Sequence, residues 1–225
     1  MTLGIGLLAL FVLVAAVHLL LCFRENDHGY ALTKPFLMPL LAGSAGVLLV
    51  PFLPDTRMFL LCTTAALAFG TVGDIALIKT TRPRFVTGSV LFLVGHFFWI
   101  FQHAATYTII RRSTIAVFVA GYAIGLVLIW FFLGKPRGVY AFVIVLYGIA
   151  ISVLNFTGIT LVIASGHYAG WLFLAGSMLF IISDTMLCYS IIQREFPHAR
   201  FFIMLTYITA QASLTAASLL PFYRP

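Results

Sequence analysis

Apolar residues along this chain come in runs of about twenty and stop at Gly, Pro or clusters of charge. The stops are short: "PDTR" at 54, "TTRPRF" at 80, "GKPRG" at 134, "SGHYAG" at 165 and "QREFPHAR" at 193. A helix needs roughly 20 apolar residues to cross the hydrocarbon core of a bilayer, so the pattern predicts eight membrane spans. They are Leu3 to Phe23, Pro35 to Leu53, Met58 to Lys79, Val86 to Thr106, Thr114 to Leu133, Val139 to Ala164, Gly170 to Ile192 and Phe201 to Leu220. The first has no basic lead-in and is longer than the apolar stretch of a signal peptide, so it reads as a membrane helix. The expected fold is all-α, a polytopic eight-helix membrane bundle forming a single transmembrane domain over residues 1–225 with no soluble domain.

Composition strengthens that picture. With 62% hydrophobic and 8% charged residues, the chain cannot cover itself with a polar shell, which excludes an ordinary soluble domain. The net charge of +7 could suggest nucleic acid. The basic residues sit in turns, however, where lipid headgroups and membrane topology account for them, so no nucleic-acid partner is expected.

Arg24, Lys34, Lys79, Arg82, Arg84, Lys135, Arg137, Arg194 and Arg200 fall on one side, against Arg57, Arg111, Arg112 and Arg224 on the other. That bias predicts odd-numbered turns in the cytoplasm and both termini outside, in the cell (inner) membrane. Cys22, Cys62 and Cys188 lack both a disulfide framework and metal-type spacing.

Candidate chemistry narrows quickly. Asp74 and Asp184 are the only acids inside spans; Glu25, Asp27, Asp55 and Glu195 lie in turns. A carboxylate at bilayer depth costs about 2.5 to 3.5 kcal/mol on insertion scales and normally faces the bundle interior. Both sit in the same motif, "VGDIAL" at 72 and "ISDTML" at 182, in spans running from outside to inside. Thr63, Leu67, Gly70 and Asp74 share one helical stripe, and Gly176, Phe180 and Asp184 another. The small residues beside the acids predict close packing that brings the third and seventh spans together.

Other polar groups lie at similar depth: His18, His96, Ser152 with Asn155, and the stripe Tyr207, Gln211, Thr215 and Ser218. Lys34 is expected at the cytoplasmic mouth beside Pro35, either as an interfacial anchor or as a phosphate ligand. His18 suits the polar cluster or the interface equally; His103, Tyr107 and His167 read as interfacial residues near the outer face. No spacing such as HExxH ties His96 and the aspartates to a metal. Aromatic runs such as "IWFFL" at 129 read as packing or lipid-facing surface, so neither metal nor cofactor is expected.

Two carboxylates in a poorly solvated pocket do not ionise together, and one keeps its proton near neutral pH. That supplies a general acid beside a general base. The same pair would also serve a proton-coupled transporter or lipid flippase, and in a purely structural bundle it would only pin helices together.

The segments "TKPFLMPLL" at 33, "GDIALI" at 73, "GSVLFLVGHFFW" at 88, "GSMLFIISDTML" at 176 and "TYITAQASL" at 206 together resemble the YhhN-like family of integral membrane proteins, which includes the lysoplasmalogenases. The resemblance implies an eight-helix bundle that hydrolyses the vinyl ether bond of a lysophospholipid substrate, lysoplasmalogen. The products would be a fatty aldehyde and a glycerophospho-ethanolamine or -choline. Asp74 and Asp184 match the family's paired aspartates. On this reading one is acid and the other base, with Asp184 preferred as acid because it lies deeper. Lys34, His96, Asn155, Tyr207 and Gln211 would then bind substrate or orient water.

Overall fold

The computed structural model describes residues 2–79, 81–103, 112–135 and 137–223. Eight helices follow one another: α1 (Thr2–Phe23), α2 (Asp27–Leu49), α3 (Arg57–Ala76), α4 (Arg82–Phe101), α5 (Arg112–Phe132), α6 (Val139–Ser165), α7 (Tyr168–Ile192) and α8 (Ala199–Leu219). Short 3₁₀ turns extend α2 and α8. Seven of the helices are long and apolar enough to cross a membrane, and α5 carries the apolar stretch Phe118–Phe132. Their outward faces expose Leu, Val and Phe, as lipid contact requires. The chain is a polytopic helical membrane bundle. Thr106, Tyr107, Arg111 and Arg224, used above to place a span end, an interface and the topology, lie outside the described residues.

The largest departure from the expected spans is the start of α2. Asn26 caps the helix by accepting a hydrogen bond from the Gly29 backbone N–H at 2.8 Å, and Asp27 occupies the first turn. Pro35, expected to open the span, is inside it together with Pro39. Each proline removes one backbone donor from the ladder, a loss that packed membrane helices tolerate. Lys34 is therefore not at the mouth of a helix. It stands about two turns inside α2, almost wholly buried.

Seven helices form a ring in which α1, α2, α3, α4, α6, α7 and α8 each pack on the next, and α8 closes back onto α1. The eighth helix also touches α2 and α3, while α5 packs chiefly on α6. At the odd-turn end, Arg200 pairs with Asp27 at 2.6 Å and His198 lies 3.7 Å from Glu25. At the opposite end the Tyr223 hydroxyl donates to the Leu48 carbonyl at 2.6 Å.

Close packing by small residues occurs, but between other helices than expected. Gly95 of α4 lies against the Ala66 carbonyl of α3, and Gly176 of α7 against the Ala210 carbonyl of α8. The third and seventh helices do not pack extensively on each other: α8 stands beside both. A Cβ built at Gly158 would come within 2.7 Å of Leu174 Cα and 3.0 Å of its backbone nitrogen. Backbone cannot yield there, so Gly158→Ala forces α6 and α7 apart. It is expected to cost about 1–3 kcal/mol, read as a lower melting temperature in detergent, whereas Gly121→Ala, with nothing within 4 Å, leaves the melting temperature unchanged.

Candidate active site

Asp74 sits in the last turn of α3, on the stripe with Thr63, Leu67 and Gly70, and all four are buried. Its Oδ2 accepts a hydrogen bond from the Tyr207 hydroxyl of α8 at 2.8 Å. Its Oδ1 lies 3.5 Å from Lys34 Nζ. The ammonium in turn donates to the Tyr30 hydroxyl at 2.8 Å, one turn earlier on α2. A buried carboxylate and a buried ammonium are each costly alone and tolerable as a hydrogen-bonded pair. With only 2% of Asp74 and 4% of Lys34 exposed, each stabilises the charge of the other.

Asp184 has different surroundings. Its Oδ2 accepts from the Tyr147 hydroxyl of α6 at 2.7 Å. Among the described residues no cation pairs with it. The adjacent Ser183 is buried and donates to the Ile203 carbonyl at 3.0 Å, tying α7 to α8. Asp74 is thus held by a cation and a phenol, and Asp184 by a phenol alone.

Both carboxylates stand on the wall of one cavity of about 110 Å³, together with Tyr30, Lys34, Arg200 and Tyr207. That volume admits several water molecules. Arg200 guards the odd-turn side, its guanidinium 4.6 Å from the centre of the Tyr30 ring. Next to this polar cavity lies an apolar groove of about 210 Å³, walled by residues such as Phe85, Leu126, Trp130, Ile144 and Ile151. Leu77, Phe92, Asp184 and Leu187 belong to both walls. The two spaces are therefore adjoining, and Asp184 stands at their junction. A polar pocket that carries Lys34 and Arg200 together with Asp74, Asp184 and Glu195 thus adjoins a mostly apolar groove.

The sequence candidates divide into two groups around this site. Asp74, Asp184, Lys34 and Tyr207 line the cavity. Gln211 stands one turn behind Tyr207, its Nε2 3.5 Å from that hydroxyl and its Oε1 buried without a protein partner. His96 lies behind Tyr147 and Phe180, with ring centroids 5.3 and 4.7 Å away. Its Nδ1 bonds the Phe92 carbonyl at 2.6 Å and its Nε2 is unpartnered. Asn155 is on neither wall and accepts from the Tyr122 hydroxyl instead.

His18 is wholly buried and bonded to Thr33 at 2.7 Å, not at the interface. His103, also expected there, packs against Phe59 and Phe173. Among the described residues no three His, Cys, Asp or Glu side chains converge as metal ligands would.

Tyr147, Tyr30, Arg200 and Glu195 complete the site; in the sequence alone the tyrosines go unmarked, Arg200 serves only to place the topology and Glu195 only as a turn acid. Tyrosine in an apolar span reads as packing or interface. The available signal was depth: Tyr147 lies about 12 Å inside α6, too far from either surface for its hydroxyl to reach water, so it needs an internal partner.

The YhhN family model matches residues 29–218, a stretch that contains every residue of the cavity wall. No curated protein and no solved structure matches the chain.

Proposed function

Because this chain belongs to the YhhN family, which includes lysoplasmalogenases, we propose that it is a membrane hydrolase of single-chain vinyl ether lipids. In this reading Asp184 is the acid and Asp74 the base. The observation that carries it is the shared cavity wall, where one aspartate has a buried cation partner and the other, among the described residues, has none. An unpaired carboxyl beside an apolar groove is cheapest in its neutral form, and a carboxylate paired with an ammonium in its ionised form. Acid and base are thereby assigned by their neighbours.

Asp184 gives its proton to the alkene carbon remote from the ether oxygen. The π electrons form the new C–H bond, and positive charge develops on the carbon bonded to oxygen. Asp74, fixed by Lys34 and Tyr207, faces that charge and takes a proton from a water that adds to the same carbon. The resulting hemiacetal breaks its bond to the glycerol oxygen, its hydroxyl proton passing to the leaving oxygen. The products are a fatty aldehyde and a free glycerol hydroxyl. Transfer of the proton from Asp74 back to Asp184 through the cavity restores the starting state.

Arg200 and Lys34 would meet the phosphate of the headgroup, and the groove would hold the tail. With the odd turns in the cytoplasm, the cavity opens towards the cytoplasmic side of the membrane.

The buried Lys34–Asp74 pair also suits a proton-coupled carrier. The two readings separate in detergent, where a carrier has no compartments to work between. The purified protein given micellar lysoplasmalogen is expected to release aldehyde, and none from saturated ether or ester lysolipids of the same length. Absence of aldehyde from the vinyl ether lipid would reject the hydrolase and leave the carrier and the purely structural bundle.

A further inference from the structure

The apolar groove borders a second one. Tyr122 of α5, with Leu126 and Ser152, lines it and also lines a further apolar groove of about 330 Å³ between α5 and α6. That second groove continues away from the site along Val119, Phe118 and Ile115 of α5 and Val153 and Phe156 of α6. Two hydrocarbon-lined spaces therefore adjoin, and Tyr122 is the aromatic among the three residues that belong to both.

Tyr122 does not stand there by packing alone. Its hydroxyl donates to Asn155 Oδ1 at 2.5 Å. The Asn155 amide donates to Ser177 Oγ at 2.9 Å, and Ser177 donates to the Leu174 carbonyl at 2.8 Å. This chain crosses from α5 through α6 to α7 and ties α5 to the ring. A phenol in an apolar helix needs a partner; this one finds it on α6, and its side chain lines both grooves.

We propose that Tyr122, latched by Asn155, is the end wall that sets how long a hydrocarbon chain the site accepts, and that opening it joins the two grooves. The occupant is a single alkyl chain: the groove is mostly apolar and shares Asp184 and Leu187 with the polar cavity that would take the head. The inference rests on the lysolipid reading above for the chemistry of the head. Its geometry depends only on the groove. Ser152 lies about 8 Å deeper along α6 than Tyr147, which holds the acid, so the wall stands close behind the reacting carbons.

The test is binding rather than turnover, so that it stands apart from catalysis. Saturated ether lysophospholipids of graded chain length, which have no bond to cleave, compete with a fluorescent single-chain lipid for the full chain in nanodiscs. For the unaltered protein, affinity should rise with chain length and then level off. In Tyr122→Ala the rise should continue, with the ratio of longest to shortest chain increased about tenfold, a size typical of apolar-pocket discrimination. Asn155→Ala, which releases the latch, should shift the ratio in the same direction by less.

Gly125→Leu provides an opposite and structurally independent change. A Cβ at Gly125 has nothing within 4 Å and the residue lines the groove about one turn after Tyr122 along α5, so filling it should weaken long chains and spare short ones. Equal weakening of all lengths in these variants, with no change in the ratio, would overturn the proposal. Graded binding without aldehyde release would keep the end wall and reject the hydrolase.

Discussion

Asp184→Asn is expected to lower aldehyde release by about 10²–10⁴-fold, the usual worth of a positioned general acid or base, while the variant keeps its helical content and melting temperature. Asparagine has the shape of the neutral carboxyl and still accepts the Tyr147 hydrogen bond. It has no acidic proton to give to an alkene carbon. Since no cation pairs with Asp184 among the described residues, the substitution leaves no charge stranded, and the loss should fall on rate rather than stability. Aldehyde formation per mole of folded protein, beside a thermal melt of the same sample, checks this. Retention of the parental rate would remove Asp184 from the chemistry.

Lys34→Met should behave in the reverse order, with stability falling first. It leaves Asp74 buried with Tyr207 as its remaining partner, and breaking one side of a buried pair costs about 3–5 kcal/mol. The melting temperature in detergent should fall sharply. Pairing the change with Asp74→Asn removes the stranded charge, so the double variant should regain most of that stability while remaining inactive. Recovery of stability without recovery of turnover separates the structural work of the pair from its catalytic work. A melting temperature unchanged in Lys34→Met would mean that the ammonium does not stabilise the carboxylate.

Much of the fold was legible because lipid imposes one rule on every helix, a run of about twenty apolar residues. All eight helices were anticipated on that ground. The misreading at α2 came from weighing Pro35 as a helix start, when Asn26 with Gly29 three residues on carried the capping signal. Lys34 moved from headgroup anchor to buried partner of Asp74 in consequence.

The inward direction of Asp74 was legible from its stripe of small and buried neighbours. Which helix it faces was not. Gly70 and Gly176 advertise close approach without naming the partner, and the partners proved to be α8 for Gly176 and, across Gly70, the side chains of Tyr207 and Gln211. The aspartates consequently share a cavity bordered by α8 instead of meeting across an extensive α3–α7 contact. Tyr147, Tyr122 and their bonds are products of tertiary placement. An apolar run that contains a tyrosine reads the same whether its hydroxyl meets lipid headgroups or Asp184.

The central claim is that Asp184 protonates carbon in a vinyl ether and Asp74 directs water to the cation formed. Hydrolysis of micellar lysoplasmalogen in heavy water, with the aldehyde reduced to alcohol as it forms, tests that claim most directly. The account predicts a single deuterium on the carbon next to the former aldehyde carbon, in product released by the parent protein and absent from the Asp74→Asn, Asp184→Asn variant. Aldehyde without deuterium at that carbon, or equal release by the double variant, would contradict it.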